Sequence, residues 1–194
     1  MKKIPTLFER VFENHKMKKV LPNVTNGMDW VLNGEGVATV KYDGAACAII
    51  DGELYKRYDA KKGKTPPEGA IPCCPPDPVT GHWPHWIKCD KECSSDKWFF
   101  AAFEASDDNS DGTYEAVGKH FRGNPYDYEN DVLLKHGADI IPNEAFTRSF
   151  EGIREFLQNT YIEGIVFWRD GIPQCKIKRT DFGFEWNKSK QKRR

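Results

Sequence analysis

The chain has 194 residues, enough for one domain with a substantial core, and its Lys+Arg and Asp+Glu totals are equal at 29. No global basic field therefore draws it onto nucleic acid, and any such binding must come from local patches. With 39% hydrophobic and 30% charged residues the composition is that of an ordinary soluble globular protein.

No run approaches the roughly 18–20 apolar residues of a membrane span, and Met1-Lys2-Lys3-Ile4-Pro5 lacks the apolar core of a signal peptide. An intracellular, cytoplasmic protein is expected, in which six cysteines read as thiols or metal ligands before disulfides.

Thr6-Leu7-Phe8-Glu9 has the form of a capping box, and Leu7, Phe8, Val11 and Phe12 then follow helical spacing, so a short N-terminal helix is expected. From Asp29 the pattern turns to strands. Val37-Ala38-Thr39-Val40-Lys41 is β-rich, and Lys41-Tyr42-Asp43-Gly44 leads into Ala45–Ile50, which puts a candidate nucleophilic lysine at a strand end. Asp51-Gly52 is a hairpin turn signal between Ala45–Ile50 and Leu54–Tyr58, and this pairing is expected to bring Lys41 and Arg57 onto adjacent strands.

Residues 59–97, rich in proline and glycine, read as an irregular insertion that is functional or mobile. Lys61, Lys62, Lys64, Trp83 and Trp86 supply cations and stacking faces for single-stranded nucleic acid, or the tryptophans pack down on the domain. Cys73, Cys74, His82, His85, Cys89 and Cys93 include zinc-type donors, but in no standard spacing; zinc or free thiols both remain open.

Trp98–Ala105 is apolar and expected to be buried, and the aspartates of 106–112 form a solvated turn, without the later glutamate of a calcium loop. Thr113–Gly118 reads as a strand with Glu115 on one face, and Val132–Leu134 as another ending at Lys135-His136. Ser149–Gln158 has helical spacing. Ile162–Trp168 and Pro173–Arg179 form a second hairpin through Asp170-Gly171, and a tail from Lys188 is strongly basic.

In the order Lys41-Tyr-Asp-Gly44, Arg57, Tyr114-Glu115, Glu163-Gly-Ile-Val-Phe167, Lys176-Ile-Lys178, the chain resembles the covalent nucleotidyltransferase superfamily of polynucleotide ligases and capping enzymes over residues 30–185. Within it, the chain most resembles the small ATP-dependent 5′-to-3′ RNA ligases of vertebrates and viruses. The resemblance implies a single α+β adenylyltransferase domain over 1–194, ATP-grasp-like, with two antiparallel sheets flanked by helices, the nucleotide pocket between them and no OB-fold domain.

It also implies a monomer, cellular or virus-encoded, that uses ATP with Mg²⁺ or Mn²⁺ and joins RNA 5′-phosphate and 3′-hydroxyl ends. Lys41, Asp43, Lys176 and Lys178 would be catalytic. Val40, Lys41, Arg57, Glu115, His136, Glu163, Lys176 and Lys178 would bind the nucleotide, with Glu115 on the ribose, His136 or behind it Phe146 against adenine, and Glu163 holding the metal. The lesser alternatives are Arg57 as an exposed strand arginine, and Glu163 as a mere hairpin partner of Lys176 or Lys178.

A free lysine titrates near 10.4, so about one in a few thousand is neutral at pH 7, and the site must favour the neutral amine. Neighbouring cations and partial burial would do so.

Two features set the chain apart from DNA ligases and capping guanylyltransferases, which remain the alternative: Ala46 stands where K-x-D-G-x-R has arginine, and only 16 residues follow Lys178. A further alternative is a non-catalytic nucleic-acid-binding or zinc-binding module.

Overall fold

The computed structural model describes residues 2–14 and 16–186, so the basic tail lies outside the described residues. It is an α+β structure dominated by antiparallel strands with few helices. The first elements are β1 (Phe8–Glu13), β2 (Lys16–Val24), α1 (Asp29–Leu32) and β3 (Val37–Lys41). There follow β4 (Ala45–Ile50), β5 (Glu53–Ala60), β6 (Ile71–Pro72), β7 (Trp83–Lys88), α2 (Lys97–Glu104), β8 (Gly112–Val117) and β9 (Val132–Lys135). The chain closes with β10 (Ile140–Ile141), α3 (Phe150–Asn159), β11 (Gly164–Arg169) and β12 (Ile172–Lys178).

The chain divides into two compact units. One is built from 4–42 and 137–186, the other from 43–136 with the N-terminal residues to Lys3. The first holds the ribbon β1-β2, a four-stranded sheet ordered β10-β3-β11-β12, and α1 and α3. Its core joins Leu7, Phe8, Val31, Ala38, Ile153, Leu157, Ile165, Phe167, Cys175 and Ile177. Alternation places Ile165, Phe167, Cys175 and Ile177 on the buried face, each with no exposed area, and leaves Gly164, Lys176 and Lys178 on the other. α3 starts at Ser149, whose hydroxyl accepts from Gly152 N at 3.1 Å, and buries Ile153 and Leu157.

The helix expected from Thr6 does not form. Leu7 and Phe8 are both fully buried, Leu7 N donates to Lys176 O at 2.8 Å, and residues 8–13 pair with β2. Six residues of helix would satisfy few of their own backbone groups, whereas here the segment covers the free edge of β12 and buries two large side chains.

The second unit is a six-stranded sheet ordered β6-β7-β5-β4-β8-β9. Cys47, Ile49, Leu54, Tyr114, Ala116 and Leu133 form its core with Ala102 of α2, while Trp98, Phe99, Phe100 and Phe103 pack against it only partly buried. The expected buried run is thus the helix α2, of which only Ala102 is fully buried. At the β4–β5 turn Asp51 and Gly52 have φ of 52° and 74°, and the Asp111 carboxylate accepts both their N–H groups at 3.0 Å.

Residues 59–97 are more regular than expected, because β7 pairs with β5 over six residues and β6 adds to its other side. Among the described residues, no helix is long and apolar enough to cross a membrane.

Candidate functional site

The first unit concentrates charge at one end of its four-stranded sheet. Gly164 of β11 pairs with Lys41 on one side and Lys178 on the other, so the two lysines flank a residue with no side chain. Two positions along, Val166 lies between Thr39 and Lys176. A Cβ on Gly164 would run into the Ile177 carbonyl, so this row requires glycine.

Glu163, 6% exposed, turns its carboxylate into the gap: Oε2 accepts from Lys41 Nζ at 2.5 Å and Oε1 faces Lys178 Nζ at 3.4 Å. Lys41 Nζ also donates to Tyr42 O at 3.2 Å. A carboxylate this buried is stable only when it is paired, and the two ammonium groups provide the pairs.

Lys176 is displaced from the ordinary lysine range to about 8, first by burial and then by the positive charges of Lys41 and Lys178; Glu163 pulls the other way and Arg10 adds a further cation. Arg10 of β1 pairs with Asp181 at 2.7 Å, and the other oxygen of Asp181 accepts from Lys178 N at 2.9 Å. Neither residue was indicated by the sequence. They lie 171 positions apart, and the helical spacing of Leu7, Phe8, Val11 and Phe12 pointed away from the strand that carries Arg10.

In the second unit, β5 and β8 carry Arg57 and Glu115, with Asp43 just before β4 and His136 just after β9. Ala46 pairs with Glu115, and Cys47 with Lys56, so Arg57, Ala46 and Glu115 share the face turned away from the Cys47–Ile49 core. Glu115 Oε1 accepts from Gly44 N at 2.9 Å, and Oε2 accepts from His136 Nε2 at 3.0 Å. His136 Nδ1 meets Thr113 Oγ1 at 3.0 Å.

Gly44 is required here too, since a Cβ would strike the Ala116 carbonyl. Its own carbonyl accepts from Arg122 Nε at 3.0 Å, and Asp43 N donates to Tyr126 OH at 2.7 Å. Arg57 Nε donates to Asp59 at 2.9 Å.

The structure thus brings Lys41, Glu163, Lys176 and Lys178 together, with Val40 one position back on β3. It also puts Arg57, Glu115 and His136 on one sheet face. Lys41 and Arg57 are not on adjacent strands: β3 pairs with β10 and β11, and β5 with β4 and β7, in different sheets. Phe146 is 8% exposed and packs on Phe156 in the first unit's core, so its ring is committed to packing.

Among the described residues no three His, Cys, Asp or Glu side chains form a metal-holding group, so Cys73, Cys74, His82, His85, Cys89 and Cys93 do not assemble a zinc centre. All six cysteines are free thiols. His85 is buried with Nδ1 donating to Trp83 O at 2.9 Å, and Cys89 belongs to the core. Trp86 is buried and Trp83 Nε1 donates to Cys74 O at 2.7 Å, so both tryptophans pack into the unit.

Glu163 offers oxygen ligands of the kind a hard cation such as Mg²⁺ takes, and in this structure both are turned to lysines, Oε2 to Lys41 and Oε1 to Lys178. Compared with models of known protein families, the chain matches none, and no curated protein matches it.

Proposed function

We propose that the protein is an ATP-dependent RNA ligase that works through a covalent lysyl-AMP. The observation that carries this reading is the row Lys41–Gly164–Lys178, closed by the Glu163 carboxylate and backed by the depressed Lys176.

Lys41 Nζ attacks the α-phosphorus of ATP. The N–P bond forms as the bond to the β-phosphate oxygen breaks, the electron pair leaves on pyrophosphate, and the amine proton passes to solvent. Lys176 and Lys178 stabilise charge on the phosphate oxygens. Mg²⁺ at Glu163 would supply a further positive charge to those oxygens and compete with the Lys41 ammonium for the carboxylate. Glu163 also holds the Lys41 side chain in place, through the 2.5 Å pair to its Nζ.

AMP then passes to an RNA 5′-phosphate, and a 3′-hydroxyl displaces it to seal the strand. By resemblance Glu115 would contact the ribose, Arg57 the nucleotide and His136 the base, with Asp43 serving the later steps. Work inside the cell as a monomer belongs to the same reading.

Intact mass after incubation with ATP and Mg²⁺, beside GTP, tests the reading on wild type and Lys41→Arg. Arginine keeps the pair to Glu163 but stays protonated and cannot attack. The expected result is an AMP-sized gain in the wild type alone. A GMP-sized gain would move the protein to capping chemistry, and no adduct on nucleotide-free protein would end the ligase reading.

A further inference from the structure

Resting on that ligase reading, we propose that Arg10 completes a subsite for the β- and γ-phosphates of ATP and holds pyrophosphate as it leaves. β1 reaches the lysine cluster because the chain before it lies along β12: Thr6 bridges to Lys176, Lys176 N donates to Pro5 O at 3.0 Å, and Leu7 and Phe8 are fully buried. Arg10 is then fixed by Asp181, 2% exposed, which also accepts from the backbone of Lys178. The guanidinium is therefore anchored to the strand that carries the phosphate-binding lysines.

Two observations point from this anchored arginine to a ligand. Its Nε is buried and has no hydrogen-bond partner among the described residues, although Asp181 occupies the Nη2 end of the fork. A buried N–H without an acceptor is destabilising and persists mainly where a ligand or water supplies one.

The local charge count points the same way. Lys41, Lys176, Lys178 and Arg10 face Glu163 and Asp181, four cations against two carboxylates. That surplus suits a polyphosphate, and a planar, forked guanidinium matches phosphate oxygens better than an ammonium does.

When the bond to the β-phosphate breaks, the negative charge that appears on pyrophosphate meets a cation that cannot lose its proton. The later steps use no triphosphate, so Arg10 matters to forming lysyl-AMP and to its reversal by pyrophosphate, but not to sealing RNA that already carries 5′-AMP.

The test compares wild type, Arg10→Met and Arg10→Lys. Calorimetry with inorganic pyrophosphate and Mg²⁺ should show binding weakened about 10-fold in Arg10→Met. Lysyl-AMP formation should show a similar rise in KM for ATP, while joining of pre-adenylylated RNA to a 3′-hydroxyl strand stays within about twofold of wild type.

Arg10→Lys keeps a charge toward Asp181 but lacks the Nε donor, so it should fold and still bind pyrophosphate more weakly; it carries the comparison if Arg10→Met does not fold. Unchanged pyrophosphate binding, or an equal loss in lysyl-AMP formation and in joining, would overturn the subsite and leave Arg10 a structural partner of Asp181. A wild type that forms no lysyl-AMP would instead remove the ligase reading itself.

Discussion

Glu163 neutralises Lys41 and Lys178 with one carboxylate, and in the proposed reaction it would also hold the metal. Glu163→Gln removes the charge from both tasks. Lysyl-AMP formation, followed as single-turnover adduct by mass, should fall roughly 100-fold. The melting temperature should also fall, because Lys41 and Lys178 then face each other across Gly164 without a counter-charge.

Lys176 makes a separate prediction about pH. Folded, it loses its proton near pH 8; unfolded, near 10.5. Below pH 8 both states are charged and the burial cost stands in full. Between 8 and 10.5 the unfolded chain binds more protons, so stability should rise with pH. Lys176→Met should be the more stable protein at pH 7 and lack that rise, so melting curves of the two across pH 7–10 should converge. Parallel curves would show that Lys176 keeps an ordinary lysine titration.

At the scale of elements, close backbone approach and capping account for two positions that look unremarkable in the sequence. Gly164→Ala pushes a methyl group into the Ile177 carbonyl at the centre of the β3-β11-β12 row. It should cost about 1–3 kcal/mol by denaturant unfolding and displace the lysines on either side. Ser149→Ala removes the acceptor for Gly152 N and should cost about 1 kcal/mol, with lysyl-AMP formation unchanged in the protein that remains folded.

The N-terminal segment shows why local pattern misled. Leu7, Phe8, Val11 and Phe12 fit helical spacing, but a short segment has little helical stability of its own, and burying Leu7 and Phe8 against the first unit's core decides its state. The reverse holds for α3 and for the hairpins at Asp51-Gly52 and Asp170-Gly171. There the cap, the spacing and the positive-φ turn residues all agree with the final structure.

For the whole molecule, the thiols give a test of the two cores. Cys47, Cys89 and Cys175 are buried, with burial raising the thiol of Cys47 and pushing Cys89 and Cys175 up to about 12, while Cys73, Cys74 and Cys93 are partly exposed. Native protein treated with a thiol reagent should take up three labels by mass, with or without a chelator, and all six after denaturation. Fewer than three native labels, rising with the chelator, would reinstate a metal on residues 73–93.

The sequence by itself determined what depends on neighbours along the chain: the strand-rich pattern, both Asp-Gly hairpins, the Ser149 helix and the order of the Lys41, Glu115, Glu163 and Lys176-Lys178 segments. Only the tertiary structure decided which of these meet. Lys41, Glu163 and Lys178 converge because β3, β11 and β12 pair in a register that puts Gly164 between the lysines, a fact of inter-strand hydrogen bonding that spacing cannot express. Lys41 and Arg57 belong to different sheets because β3 and β4 do, and Arg10 joins the lysines through Asp181, 171 positions away. Such contacts are selected by burial and long-range pairing, whose energies depend on the assembled fold and not on any local stretch of sequence.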